Sequence, residues 1–201
     1  MKNIIKLASI VLVFSFTLFG LTNKASAAKL TLYCSVEIDV CEMLEQAYEK
    51  ETGTKVAMTR ASSGETFAKI KAESSNPKGD VWFGGTGDPH LTAAQENLTE
   101  KYKSTHFNDL LPAAQNQAKN ADYKSVGIYV GALGFGYNKD LLAKKGLPAP
   151  KSWMDLTKPI YKGEIQVANP NSSGTAYTTL ATILQIFGED KGWDYMKALH
   201  L

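Results

Sequence analysis

Ala61-Ser62-Ser63-Gly64-Glu65-Thr66 and Asn171-Ser172-Ser173-Gly174-Thr175 repeat one phrase in two distant parts of the chain. Each stands between a strand-like run and a helix-like run. Small hydroxyl residues and glycine at a strand-to-helix turn leave backbone N–H groups without intrahelical partners at the positive end of a helix. Such a turn is a seat for an anion. Its plainer meaning is a helix cap, worth about 1 kcal/mol of stability. A matched pair predicts more: two lobes that close on one anionic ligand.

Working outward from the first phrase, Lys29–Cys34 alternates as a strand, with Leu30, Leu32 and Cys34 on one side and Thr31 and Tyr33 on the other. Val40–Thr52 has helical spacing at Met43, Leu44, Ala47 and Tyr48 and stops at Gly53. Lys55–Thr59 is a second strand. Ser62–Ser74 is the next helix, opened by the capping box Ser62-x-x-Glu65. Asn76-Pro77-Lys78-Gly79 is a turn, and Asp80–Phe83 a short apolar strand running into Gly84-Gly85-Thr86-Gly87-Asp88-Pro89-His90. A further helix is expected near Leu91. This β-α-β-α-β-α order predicts a parallel sheet covered by helices.

Around the second phrase the character differs. Residues 100–124 are polar and weakly periodic. Val126–Tyr137 reads as a long strand with glycines at 131, 134 and 136, fitting a crossing between lobes. Asp140–Lys145 is a short helix stopped by Gly146, Pro148 and Pro150, and Ser152-Trp153-Met154-Asp155-Leu156 opens another. Ile165–Ala168 is the strand before the second phrase. Helices follow over Thr175–Phe187 and Asp190–Leu201.

The N-terminus reads as an export signal. Lys2 and Lys6 give a positive start, Leu7–Leu21 an apolar stretch too short and too interrupted for a membrane span, and Ala25-Ser26-Ala27 a cleavage signal. Cleavage is expected before Ala28, leaving residues 28–201. Positions 1–27 hold Lys2, Lys6 and Lys24 and no acidic residue, so their removal takes the formal net charge from +2 to −1. A nearly neutral, mixed-charge chain gives no electrostatic case for nucleic acid or membrane binding. Cys34 and Cys41 are the only cysteines. In an exported chain this pair reads as a disulfide joining the first strand to the first helix. Without nearby histidines it makes only half a metal site.

Several segments together carry a family resemblance. Tyr33-Cys34-Ser35, Thr59-Arg60-Ala61-Ser62-Ser63-Gly64-Glu65-Thr66, Gly79-Asp80-Val81-Trp82-Phe83-Gly84-Gly85 and Ala168-Asn169-Pro170-Asn171-Ser172-Ser173-Gly174-Thr175 occur in that order and spacing. So does Gly134-Phe135-Gly136-Tyr137-Asn138-Lys139, followed by Pro148 and Ser152-Trp153-Met154-Asp155-Leu156. The set resembles the periplasmic solute-binding proteins of bacterial ABC importers. The branch is the one labelled ferric-iron-binding, which includes sugar-phosphate and phosphonate binders. The resemblance runs from residue 29 to the end. It implies an α/β, two-lobed, type II periplasmic-binding-protein fold, hinged and closing on a solute that is passed to an inner-membrane ABC permease. The lobes are expected at 28–125 and 126–201. Members are nearly twice as long, so the second lobe, and with it the fold, is expected to be incomplete at the C-terminus. No cofactor is implied.

The candidate ligand-binding residues are Ser35, Ser62, Ser63 and Gly64 from the first part, Gly85, Thr86 and Asp88 from the glycine-rich loop, and Asn169, Ser172, Ser173, Gly174 and Thr175 from the second phrase. The second phrase lacks a Glu at the fourth position, so a capping box explains it less well. The glycine-rich loop follows a strand end, where α/β sheets place ligands. Asp88 suits sugar hydroxyls better than phosphate oxygens. Ser35 has a second reading as part of the disulfide loop, and Arg60 as a solvated strand residue. Tyr177, Trp82 and Trp153 read as packing residues, and His90 as a helix-start residue with a pH-sensitive contact as its alternative.

Ferric iron needs hard oxygen ligands. The resemblance implies a tyrosine pair for it, and no Tyr-Tyr pair exists in the sequence. The Ser35–Asp39 loop also lacks the histidine some ferric members carry. The expected solute is a small anion such as a sugar phosphate or phosphonate, with a ferric–anion complex as the alternative. An exported phosphoesterase is the rival of another class. No G-x-S-x-G or H-E-x-x-H motif supports it, and the three histidines stand apart at 90, 106 and 200. A receptor fragment without activity is the third reading.

Overall fold

The computed structural model describes residues 29–200. The export signal and its cleavage point lie outside the described residues. β1 (Lys29–Cys34) is the centre of a three-stranded parallel sheet of order β2-β1-β3. β2 (Lys55–Arg60) pairs along its whole length, from Lys29↔Lys55 to Cys34↔Arg60. β3 (Val81–Phe83) pairs with the last half of β1, from Leu32↔Val81 to Cys34↔Phe83. Parallel neighbours require crossovers, and α1 (Ile38–Thr52) and α2 (Ser63–Ala72) supply them. α1 stops where the sequence predicts, at Gly53 in the left-handed conformation (φ 70°), whose N–H donates to the Glu49 carbonyl.

The alternation in β1 decides the packing. Leu32, Cys34 and Cys41 form a buried cluster, flanked by Leu30, Val36, Val56, Met58 and Phe83. Cys34 and Cys41 are joined as the expected disulfide, pinning the start of α1 to the end of β1. On the opposite face Tyr33 is buried. Its hydroxyl donates to Glu73 (2.7 Å), and Lys69 lies over its ring. Burial, reinforced by the Glu73 carboxylate, pushes the Tyr33 phenol up to about 12.

Elsewhere the structure departs from the sequence expectations. α3 (Gly87–Gln95) begins well before Leu91: Thr86 stands at its N-cap position in extended conformation, and Pro89 fits a first turn where an absent N–H costs nothing. Residues 100–124 contain a 3₁₀ turn, Phe107–Asp109, and α4 (Pro112–Asn120), opened by a proline at its first position. Val126–Tyr137 and Ile165–Ala168 form no strand ladder among the described residues. Their composition suits a pleated surface, but a strand exists only when paired. With no partner among those residues, Val130 is left 85% exposed. Tyr177 is exposed on its helix rather than packed.

The last third is helical. α5 (Lys139–Lys145) is capped by Asn138 and closed by Gly146. The helix expected at Ser152 is a 3₁₀ turn over Trp153–Thr157, with a second over Pro159–Tyr161. α6 (Gly174–Phe187) and α7 (Glu189–His200) pack together around Ile183, which is fully buried, and the Tyr195 hydroxyl donates to the Trp153 carbonyl (2.8 Å). Among the described residues no helix is long and apolar enough to cross a membrane.

Candidate functional site

Three helix starts meet at the C-terminal end of the sheet. The turn after β2 opens α2 at Ser63, the turn after β3 opens α3 at Gly87, and the second Ser-Ser-Gly phrase opens α6 at Gly174. The first two are adjacent because parallel strands all end on the same side. The Ser63 hydroxyl, buried, accepts from the Thr86 N–H (3.1 Å) and ties α3 to α2.

A polar layer supports them from below. The Trp82 indole N–H donates to the Ser35 hydroxyl (2.9 Å), which pairs with that of Thr66 (3.1 Å). Ser35 and Thr66 are both buried. His90 stacks on Trp82, with ring centroids 3.6 Å apart, and its Nε2 lies 2.8 Å from the Gly84 carbonyl. Burial pushes the His90 imidazole below its usual range, against the opposing pull of that carbonyl. A neutral ring protonated at Nε2 satisfies the contact. The Tyr129 hydroxyl accepts from the Gly85 N–H (2.8 Å) and donates to the Gly85 carbonyl (2.9 Å), so the Gly84–Gly85 turn is gripped from both ends.

The two Ser-Ser-Gly phrases touch directly. The Gly64 N–H donates to the Ser172 carbonyl at 3.0 Å. The Ser62 hydroxyl lies 2.6 Å from the same carbonyl and 2.8 Å from the Glu65 carboxylate, which also accepts from the Ser62 N–H at 3.1 Å. One hydroxyl proton serves only one of those two acceptors at a time. The Ser62 hydroxyl and N–H together hold the Glu65 carboxyl below its usual range. The approach depends on two glycines. A Cβ on Gly64 would lie 2.6 Å from the Asn171 carbonyl oxygen and 2.7 Å from that of Ser172. A Cβ on Gly174 would overlap the Thr86 hydroxyl and come within 2.8 Å of that of Ser63. The Thr86 Oγ1 is buried there without a protein hydrogen-bond partner.

Of the sequence candidates, Ser62, Ser63, Gly64, Gly85, Thr86, Ser172 and Gly174 therefore converge. Ser35 sits beneath them, its hydroxyl engaged by Trp82 and Thr66. Ser173 caps α6 by accepting from the Ala176 N–H (3.3 Å). Asn169 shapes the loop: its Oδ1 accepts from the Asn171 N–H (2.9 Å) and its carbonyl from the Ser173 N–H (2.9 Å). Asp88 and Thr175 are exposed on the first turns of α3 and α6. Arg60 is exposed and donates to the Val36 carbonyl (2.9 Å), beside the disulfide loop. Tyr129 and Thr66 are supports that the sequence reading passes over. Thr66 lies inside the first phrase, three residues after Ser63. Tyr129 lies in a stretch read as strand, and no sequence signal marks its hydroxyl. A groove of about 1280 Å³ runs beside β3, lined by Trp82, Gly85, His90, Thr99 and Tyr129 among others. Ser62, Ser63, Ser172 and Ser173 do not line it. Among the described residues no group of three or more His, Cys, Asp or Glu side chains is placed to hold a metal ion.

Residues 80–200 match the family described as bacterial extracellular solute-binding protein. The chain is similar to an uncharacterized protein of Haemophilus influenzae, 45% identical over 185 residues, which cover 90% of this chain and 54% of the relative. It is similar to a putative 2-aminoethylphosphonate-binding periplasmic protein of Salmonella typhimurium, 29% identical over 155 residues, 76% of this chain and 42% of that one. Among solved structures it resembles the periplasmic binding protein AfuA from Actinobacillus pleuropneumoniae, with exogenous fructose-6-phosphate bound. That match has 45% identity and a TM-score of 0.83, over 87% of this chain and 55% of the other. The chain spans about half the length of the curated relatives it matches. It belongs to the bacterial extracellular solute-binding proteins and has the type II periplasmic-binding-protein fold of their structures.

Proposed function

We propose that this member of the bacterial extracellular solute-binding proteins is the receptor of an ABC importer for a small phosphorylated or phosphonate solute. The signal at 1–27 exports it to the periplasm, with cleavage before Ala28. It acts by binding, not catalysis: the solute is held between a first lobe over 28–125 and a second lobe beginning at 126, then delivered to the membrane permease. The observation that carries this reading is the convergence of the starts of α2, α3 and α6. Backbone N–H groups at helix starts complement an anion, and here one such N–H already holds an oxygen acceptor, the Ser172 carbonyl.

Within that reading Ser62, Ser63 and Gly64 hold phosphoryl oxygens from one side, and Ser172, Ser173, Gly174 and Thr175 from the other. The unpartnered Thr86 hydroxyl adds a donor from the third helix start. Gly85 lets the backbone approach the ligand, Asp88 and Asn169 take polar groups at the rim, and Ser35 supports the floor. The fructose-6-phosphate bound to AfuA and the 2-aminoethylphosphonate in the Salmonella protein's name share a phosphorus oxyanion, the class such a site selects.

The test is a thermal-shift screen of the chain against fructose 6-phosphate, 2-aminoethylphosphonate, inorganic phosphate and ferric citrate. A ligand at a hundredfold excess over its Kd adds about 2.7 kcal/mol, or roughly 5–10 °C of melting temperature. A rise with the organophosphorus solutes supports the reading. A cooperative melt that none of them moves contradicts it, and a rise with ferric citrate alone replaces it with iron transport.

A further inference from the structure

The contact between the two Ser-Ser-Gly phrases carries an inference about how the proposed site is reached. Ser172 belongs to a loop that Asn169 holds in shape through its own side chain and carbonyl. That loop presents one carbonyl oxygen to two donors of the first phrase, the Gly64 N–H at 3.0 Å and the Ser62 hydroxyl at 2.6 Å. A side chain at Gly64 would meet the backbone of the second phrase and force the phrases apart, and one at Gly174 would press on the Thr86 and Ser63 side chains. The donors that the proposed function assigns to a ligand oxygen are thus engaged by an oxygen of the protein itself.

We infer that the Ser172 carbonyl is an internal stand-in for a ligand oxygen, forming a latch that joins the two phrases and must open before an anion reaches the start of α2. This rests on the proposed anion site. The latch differs from ordinary packing in being built from hydrogen bonds that a ligand can replace one for one. An incoming oxyanion takes the Gly64 N–H and the Ser62 hydroxyl, and the Ser172 carbonyl is released to water. The Ser62 proton then has three possible acceptors, the ligand, Ser172 and Glu65, so Glu65 keeps that hydroxyl satisfied during the exchange. The observed affinity of such a site is the intrinsic affinity reduced by the fraction of molecules in which the latch is open.

The contact predicts a measurable signature without any ligand. The Gly64 N–H sits at the second position of α2, where a helix provides no acceptor of its own. Any protection of this amide from hydrogen exchange therefore reports the bond to Ser172. We expect the Gly64 amide in the whole chain to exchange at least tenfold more slowly than an unstructured amide. Gly174→Ala, whose added methyl overlaps the Thr86 hydroxyl, should restore fast exchange at Gly64 while the Thr66 amide, bonded within α2 to the Ser62 carbonyl (2.9 Å), stays protected. The Thr66 amide guards against a variant that simply unfolds; should it lose protection too, Gly64→Ala replaces Gly174→Ala, with the Ser172 backbone resonances as the readout. An unprotected Gly64 amide in the parent chain overturns the latch. So does a Gly64 amide that remains protected when Gly174→Ala is folded, or unchanged Ser172 resonances in Gly64→Ala. The failure of the anion reading is separate: no solute then moves the melting temperature, whatever Gly64 exchange shows.

Discussion

Residues 29–95 and residues 126–168 have similar strand-forming content and opposite outcomes. In the first region three runs, Lys29–Cys34, Lys55–Arg60 and Val81–Phe83, pair into one sheet. Its central strand is fixed on one face by the cluster around Leu32 and Cys34 and on the other by Tyr33. In the second, Val126–Tyr137 and Ile165–Ala168 are as rich in valine, isoleucine and aromatic residues and form no ladder among the described residues. The difference teaches that β-composition specifies a surface awaiting partners, not a strand. Yet the first region contains a Ser-Ser-Gly turn and the second leads into one, and these turns find each other. The site depends on helix starts, which local capping chemistry sets, more than on strands, which need distant partners.

If the first region is the rigid half, breaking its staple has the largest effect. The Cys34–Cys41 bridge closes a loop over a sequence separation of 7. Loop-entropy reasoning assigns such a closure about 2–3 kcal/mol. Denaturant unfolding of the chain with and without reductant should show a loss of that size. Next comes the polar floor. Ser35→Ala leaves the Trp82 indole N–H without its acceptor and removes the partner of the buried Thr66 hydroxyl. It should cost about 1–3 kcal/mol, with a change in tryptophan fluorescence. A loss under a few tenths of a kcal/mol would mean that water already serves this layer.

The second region and the turn it leads into should respond more weakly. Ser173→Ala removes the cap of α6 and should cost about 1 kcal/mol by thermal melting. An effect as large as that of breaking the disulfide would erase the contrast between the regions.

The pH response separates the regions as well. His90 has a folded pKa lowered by burial, so between that value and the unfolded value the unfolded chain binds more protons. Stability supplied by the neutral ring is therefore present above the unfolded pKa and lost as pH falls through this window. Melting temperature should decline from pH 7 toward pH 5, and His90→Gln should flatten that slope. Asp155, held at about 2 by Lys158 and by the Lys151 N–H, acts in the second region and far lower in pH. Its contribution is present above the ordinary carboxylate value and fades toward pH 2. As an ion pair at the surface it should give the smallest change, seen as the difference between Asp155→Asn and the parent chain in an acid melt.

Much of the first region was legible in the sequence. The alternation of Lys29–Cys34, the stop at Gly53 and the Ser62-x-x-Glu65 box are local signals, and local signals survive folding. The early start of α3 was hidden because Gly87 and Pro89 read as a loop, although threonine, as at 86, is a residue type that suits an N-cap position. α4 was hidden by its polarity, with Pro112 as the unread clue. Among site residues the two phrases announced themselves through composition. Their mutual contact did not, because it is made by the Ser172 carbonyl, an atom every residue carries. Tyr129 was invisible for a related reason: its role depends on where an irregular segment passes, not on its neighbours in sequence.

The central claim is that both Ser-Ser-Gly phrases serve one anion site. Titrating the isotopically labelled chain with fructose 6-phosphate and following the amide resonances of Ser62–Gly64 and Ser172–Gly174 tests it most directly. The account predicts that both sets shift, with one shared midpoint. Shifts confined to one phrase, or different midpoints for the two, would contradict it.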